Sequence, residues 1–408
     1  MPPARPATHA GLGLWLGMFA VAFGTNVPVA LLLSYRVHLE LTPTILMIAF
    51  AVYAVGLVPA LLLAGPASDR RGRKALVLPF AVLAAVASVV LLWAPVSLPA
   101  LLVGRFLQGA VSGVVFSVGS AWLAEIVGDH AAASRRAAAA MSAGFCLGPL
   151  TAGVLGQFAP APTTLPYMVH LVLIAGALVL LPRIAETVER HRGRGRLINL
   201  GVPRPARPAF ATFVAPLAPW VFTFPAVSVT VLPLGLQEVM VGFELVVTGV
   251  VAGITMAVGV AVQPVVARLG AVRAAPLATL SGAAGLGLGV TAIALGLPWV
   301  LLPAAVLLGV GYGLAIASGL TATQWLADPA HRGALVATFY ALTYLGFGAP
   351  VVISAVSEGT SFLTALAALA GLAVIASLWL RFGPGGRLVD ERRRATAGVA
   401  TGEAPHRS

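Results

Sequence analysis

Twelve apolar runs of about 18–25 residues dominate this chain, and each is long enough to carry a helix across ~30 Å of hydrocarbon. They predict helices over roughly 11–34, 44–64, 75–95, 98–124, 136–158, 165–182, 210–234, 244–267, 274–295, 298–324, 333–356 and 360–381. Backbone polar groups in lipid need internal partners, so a spanning segment is a helix or part of a closed barrel. Barrel strands would alternate over ~10 residues, and no such alternation occurs. Only 9% of the 408 residues are charged, while 59% are hydrophobic. A soluble domain carries about 25% charge, so this chain cannot clothe a water-facing surface. It reads as an all-α integral membrane protein, with the lipid bilayer as its principal partner.

Charge placement gives the topology. With the N-terminus inside, the inner segments hold all but Arg36 and Arg105 of the 25 basic residues. The outer loops carry Glu40, Glu238, Glu244 and Glu358. Lys and Arg favour the cytoplasmic side, so the count is even and both termini are expected in the cytoplasm, with the cell membrane as location. The net charge of +12 is spread over these short loops and forms no continuous face, which excludes nucleic acid as a partner. The first apolar run, Gly11 to Leu33, is longer than the ~7–15-residue core of a secretory signal and reads as a membrane helix. The lone Cys146 excludes an intrachain disulfide.

The chain divides at a long Arg-, Gly- and Pro-rich segment. The expected organisation is an N-terminal six-helix bundle (1–183), a basic cytoplasmic linker (184–209), a C-terminal six-helix bundle (210–382) and a disordered cytoplasmic tail (383–408). The linker holds Arg183, Arg190, Arg192, Arg194, Arg196, Arg204 and Arg207. The halves repeat features in order. Trp122-Leu-Ala-Glu125 in helix four corresponds to Trp325-Leu-Ala-Asp328 in helix ten. Arg135/Arg136 corresponds to Arg332, and Gly148-Pro149 to Gly348-Ala-Pro350. This order predicts a duplicated unit, the plan of transporters built from parallel repeats.

The densest polar cluster, Gly65-Pro-Ala-Ser-Asp69-Arg70-Arg71-Gly72-Arg73-Lys74, lies between helices two and three. Gly72 suits a tight reversal. Gly65 precedes Asp69 by one turn and is expected to admit a neighbouring helix. Helix four carries Leu101-Leu-Val-Gly-Arg105-Phe-Leu-Gln108-Gly109, which places Arg105 about 10 Å inside the outer face. A charge at that depth is costly and reads as functional. Helix five carries Gly144-Phe-Cys-Leu-Gly148-Pro149-Leu-Thr-Ala-Gly153. Its glycine spacing allows helix contact, and Pro149 removes a backbone hydrogen bond. Thr25 and Asn26 with Pro28 are expected to interrupt helix one. Gln157, His170, Gln263 and Gln324 lie near span ends, and Tyr340 and Tyr344 are one turn apart.

These strings resemble the major facilitator superfamily. Gly65, Asp69, Arg70, Gly72, Arg73 and Lys74 match its Gly-x-x-x-Asp-Arg-x-Gly-Arg-Arg/Lys signature. Leu101, Arg105, Gln108 and Gly109 match its Leu-x-x-x-Arg-x-x-Gln-Gly element. Gly144, Gly148, Pro149 and Gly153 match the element of its exporter branches, with Ala152 in place of one glycine. The resemblance implies two pseudo-symmetric six-helix bundles with the solute between them. It implies a conformational latch in which Asp69, Arg73 and Glu125 close the cytoplasmic side of the outward-facing form. It also implies a pathway lined by Asn26, Arg105 and Gln108. The second half's Arg268-Leu-Gly270-Ala-Val-Arg273 lacks the acid.

The expected function is secondary active transport of a small organic, amphipathic solute by a monomer, in the direction of efflux and coupled to protons. An uptake carrier is the alternative, and a membrane scaffold or enzyme a remote one. No span has Asp or Glu at its middle; only Glu238, Glu244 and His170 could titrate near the membrane, so proton coupling rests on the resemblance. No Gly-x-x-x-x-Gly-Lys-Ser/Thr motif is present to use ATP. No cofactor, metal or catalytic residue is expected, and the chain does not read as an enzyme.

Overall fold

A computed structural model describes residues 7–188, 202–327 and 332–401. Arg5, Arg190, Arg192, Arg194, Arg196, Asp328 and Arg407 lie outside them. Twelve described helices are long and apolar enough to cross a membrane. They are α1 (Gly11–His38), α2 (Pro43–Arg71), α3 (Arg73–Val96), α4 (Leu98–Val127), α5 (His130–Phe158) and α6 (Leu165–Arg183), then α7 (Arg204–Gly235), α8 (Glu244–Leu269), α9 (Ala271–Leu295), α10 (Pro298–Leu326), α11 (Leu335–Ser357) and α12 (Phe362–Phe382). No strand occurs among the described residues.

The differences from the sequence expectation lie where polar residues prolong helices. Asp129 accepts hydrogen bonds from the Ala131 and Ala132 amides at 2.8 and 3.1 Å. This N-cap starts α5 at His130, so Arg135 and Arg136 stand on its first turns rather than in a loop. Similarly, α7 begins at Arg204, which takes Arg204 and Arg207 out of the linker.

Helix one is not interrupted. It runs unbroken through Thr25, Asn26 and Pro28. Pro28 has no amide hydrogen, so the carbonyl four residues back, Gly24, loses its helical donor. Gln108 of α4 replaces that donor with its Nε2 at 2.8 Å.

Residues 385–401 depart further from expectation. A further helix, α13 (Gly385–Thr401), follows α12. Its sequence is rich in Arg and Ala, which favour helix, and tertiary contacts hold it. Val389 is fully buried. Arg392 Nε donates to the Pro205 carbonyl at 3.3 Å, and the Arg393 guanidinium lies 4.9 Å from the Trp325 ring.

Contacts divide the chain into two compact units. The first is Met1–Ile198 with Val229–Ala257, the second Asn199–Ser228 with Val258–Ser408. In the first unit, α4 packs on α2 through glycines. A Cβ at Gly113 would sit 2.7 Å from the Leu57 carbonyl oxygen and 2.8 Å from the Leu61 nitrogen. Backbones meet there because no side chain intervenes. Met18, Val111, Val115, Trp122 and Ile174 are buried in this unit's core, while Val55, Val82, Val103 and Val172 are exposed and supply the apolar surface lipid requires.

In the second unit, α10 crosses α9 at Gly311, whose Cβ would meet the Ala278 oxygen at 3.0 Å. The α8–α9 turn repeats the α2–α3 turn. Gly270 has φ 82 and ψ 146, and Gly72 has φ 99 and ψ 154. Positive φ suits glycine, so the reversal is retained in the second unit although the acid is not.

Candidate functional site

Three groups of polar or small residues in the first unit carry the sequence motifs. The first is where ends of α2, α3, α4 and α6 meet. Gly72 ends α2 and α3 starts at the next residue, which brings Arg73 back over the last turn of α2. Arg73 Nη1 is 2.7 Å from Asp69 Oδ1, and Nη2 is 2.9 Å from Glu125 Oε1. Its Nε also donates to Glu125 at 3.2 Å, and Nη1 donates to the Ser68 hydroxyl. The geometry thus joins the three residues the sequence paired. Their burial differs: the Arg73 side chain is 12% exposed, Glu125 32% and Asp69 64%.

Sequence reasoning missed the rest of this network. Glu186, just beyond α6, accepts from the Arg73 amide at 2.9 Å and the Lys74 amide at 3.0 Å. It thereby caps α3, whose own preceding residue is a glycine without a side chain. Lys74 in turn donates Nζ to the Pro182 and Ile184 carbonyls at 2.5 and 3.1 Å, a cation at the C-terminal end of α6. Thr187 donates its hydroxyl to Glu125, and Trp122 Nε1 donates to Ala185 at 3.1 Å. The first residues of the linker are therefore tied into the turn.

Partial burial alone would raise the Glu186 carboxyl. Its bonds from the Arg73, Val188, Lys74 and Thr187 amides outweigh this and hold it below the ordinary value. A depressed carboxyl stabilises the fold above its unfolded pKa, and that contribution is lost as pH falls through the folded one.

Gly65 of the signature stands apart. A Cβ at Gly65 would meet nothing within 4 Å, so no helix approaches there; the Gly65 carbonyl instead accepts from Ser68 at 2.8 Å. Arg70 takes no part in the ion pairs that Arg73 makes.

The second group surrounds Arg105, which is 1% exposed. It does not reach toward a headgroup. Nη1 donates to the Thr25 carbonyl at 2.9 Å and to Gln108 Oε1 at 3.1 Å, and Nη2 donates to the Phe50 carbonyl at 3.2 Å. The guanidinium lies 4.9 Å from the Tyr53 ring centroid and 5.7 Å from that of Phe50, within cation–π range. Helices α1, α2 and α4 are tied together by this one fork, and no carboxylate forms an ion pair with it among the described residues. Thr25 bonds its own helix and Ser112, at 2.8 and 2.9 Å. Asn26 is half-buried and bonds the Ala22 carbonyl at 3.2 Å. Beyond α1, His170 Nδ1 is 2.7 Å from Ser88 and its ring lies against Gly24.

The third group is the α5 glycine string. Gly144 and Gly148 lie against the backbone of α1, where a Cβ on Gly144 would stand 2.5 Å from the Phe19 oxygen. Gly153 meets α8 glycine to glycine: its Cβ would be 2.5 Å from the Leu245 oxygen and 3.0 Å from Gly249 Cα. Pro149 sits at that crossing, its carbonyl against Gly249. Gln157 Oε1 accepts from the Leu245 amide at 3.1 Å, which caps the first turn of α8.

No cluster of three or more His, Cys, Asp or Glu residues that could hold a metal occurs among the described residues. The arrangement is a helical bundle in which Arg73 pins the α2–α3 turn and Arg105 ties α4 to α1 and α2.

Known proteins share both the sequence pattern and the fold. Residues 14–349 match the family model described as Major Facilitator Superfamily. The multidrug resistance protein MdtL of Escherichia coli (strain K12 / DH10B) is 38% identical over 110 residues, 27% of this chain and 27% of that one. MdtL of Shigella boydii serotype 18 (strain CDC 3083-94 / BS512) matches to the same extent. The match thus spans about a quarter of the length of these curated relatives. Among solved structures, a peptide transporter POT in complex with sulfate superposes with TM-score 0.78 at 15% identity, over 93% of this chain and 95% of that one. A D-xylose-proton symporter superposes with TM-score 0.71 at 17% identity, over 93% and 99%.

Proposed function

The chain belongs to the Major Facilitator Superfamily and is a multi-pass secondary transporter; on that premise we propose that it exports a small amphipathic organic solute across the cell membrane by alternating access, as a monomer with both termini in the cytoplasm. The observation that carries the outward direction is α5. Its Gly144, Gly148, Pro149 and Gly153 resemble the exporter element, and each glycine stands where a side chain would collide with α1 or α8. The segment shared with the multidrug resistance protein supports the same direction.

Arg73 ties Asp69 to Glu125, and Glu186 ties α3 to the end of α6. In this reading the network keeps four helix ends moving as one piece, and so sets how readily the cytoplasmic side opens. Arg105 and Gln108 hold α1 in register with α4, and Asn26 faces the solute. Proton coupling, by analogy with the D-xylose-proton symporter, enters here as the driving force.

Cells producing the protein are expected to accumulate less of a neutral aromatic dye than cells producing the Arg73→Ala variant at equal abundance. Higher accumulation in the former would make uptake the direction and overturn the export reading.

A further inference from the structure

His170 is a buried polar group that the proposed mechanism leaves unused. It stands one turn into α6, which starts at Leu165, and is 2% exposed. Two other helices enclose its ring. Ser88 Oγ of α3 lies 2.7 Å from Nδ1. The opposite edge rests on Gly24, at the middle of α1, where a Cβ would collide with Nε2. A glycine there is what makes room for an imidazole inside the bundle. Nε2 itself has no hydrogen-bond partner. An idle buried nitrogen is costly, and an apolar side chain would pack in the same place without that cost.

The site has oxygens for a ring that gains a proton. A neutral imidazole that donates Nδ1–H to Ser88 keeps a lone pair on Nε2. A proton from water forms an N–H bond there, and the imidazolium has two donors. Ser88 Oγ serves one, and the Ala20 carbonyl, one turn before Gly24, is placed to serve the other. No carboxylate stands by to hold the charge while the helices are packed this way. Helices α1, α3, α5 and α6 contain no Asp or Glu, and Glu125 of α4 is bound to Arg73. The titratable neighbours are Tyr167, one turn away on α6, and Tyr35 of α1, which bond each other at 2.6 Å. From α4, Arg105 holds the same turn of α1 through the Thr25 carbonyl. The other cations of these helices, Arg36, Arg73, Lys74, Arg135, Arg136 and Arg183, lie toward helix ends, as do His38 and His130.

We propose that His170 carries the coupling proton, being neutral while α1 packs on α6 and charged once α1 moves off it. Water must reach Nε2 for the proton to arrive or leave, and at 2% exposure this requires α1 to shift. Proton uptake is thereby tied to a change of conformation. The turn of α1 concerned is already weak. Pro28 leaves the Gly24 carbonyl without its helical donor, and Gln108 supplies the replacement. A second cation on this turn repels the Arg105 guanidinium, so charging His170 loosens the seat of α1. The proposal rests on the proton-coupled export reading and names the group that carries the proton.

The test is nitrogen NMR of the full chain, isotope-labelled at histidine, in lipid nanodiscs between about pH 8 and pH 5. His170 signals are identified by their loss in His170→Gln. Ser88→Ala displaces the same signals by removing the Nδ1 partner, so the assignment stands even where His170→Gln does not fold. His170 is expected to pass from neutral ring to imidazolium. Asp69→Asn, which weakens the pairing with Arg73, should raise the midpoint by up to about 0.7 pH unit, equivalent to fivefold. A ring that stays neutral while the chain remains folded, or a midpoint indifferent to Asp69→Asn, would overturn the proposal. The second arm uses proteoliposomes with pyranine in the lumen. Nile red added outside should exchange for protons and raise the lumenal pH. His170→Gln should lose that rise while still binding Nile red in nanodiscs. A rise retained by His170→Gln would overturn the assignment of His170 alone. No rise with the unaltered protein would end the coupling reading and the proposal with it.

Discussion

Replacing Arg105 by leucine is expected to abolish transport while leaving the protein inserted and folded. A cation this deep costs about 2.5–3.5 kcal/mol on insertion scales. Its bonds to Thr25, Phe50 and Gln108 return about 1.5–3 kcal/mol each at most. Leucine removes the cost and the gain together, so stability falls by less than the loss of the three bonds alone would suggest. The Gly24 carbonyl keeps its donor, because Gln108 supplies it independently. What disappears is the fork that couples α1, α2 and α4. Lysine should fail as well, since a single ammonium cannot span two helices' carbonyls and stack on Tyr53. In reconstituted protein, a fall in turnover of about tenfold or more, equivalent to ~1.4 kcal/mol of barrier, is the expected reading for both. Leucine with full turnover would reduce Arg105 to a packing residue.

The Asp69→Asn variant should lose up to about fivefold in turnover with its unfolding temperature nearly unchanged. Asp69 is 64% exposed, and exposed ion pairs contribute about 0.2–1 kcal/mol to stability. The same energy, applied to an equilibrium between two conformers rather than to unfolding, is a severalfold shift in population. Arg73→Ala should do more. It strips Glu125, Asp69 and Ser68 of their common donor at once, and should lower stability by about 1–3 kcal/mol as well. Glu186→Ala separates the two effects. It removes the α3 cap at a cost of about 0.5–2 kcal/mol, so it should appear mainly as a lower unfolding temperature, read by thermal denaturation in detergent.

These residues were not equally legible in the sequence. The twelve spans could be read because length and apolarity alone determine them, and lipid leaves the backbone no other solution. Asp69, Arg73 and Glu125 could be paired because the string from Gly65 to Lys74 resembles the family signature, and that resemblance implies the network. Glu186 could not, because it caps a helix that begins more than a hundred residues earlier, and an N-cap is usually sought next to its own helix. Gln108 did have a readable signal, in Pro28: a proline inside a membrane helix leaves a carbonyl that some side chain must satisfy. The α13 helix was hidden for a different reason. Its segment is polar and follows a Gly-Pro pair, and what orders it is the burial of Val389 together with contacts to Pro205 and Trp325. Gly65 shows the reverse error. Small size licensed a helix contact that the fold does not make.

The central claim is outward transport driven through this bundle, and uptake by inside-out membrane vesicles tests it most directly. On acidifying their lumen, vesicles containing the protein should accumulate a neutral aromatic dye. A protonophore should collapse the accumulation, and Asp69→Asn vesicles should accumulate less at equal protein content. Vesicles that accumulate no dye while intact cells of the same strain take it up would contradict the account.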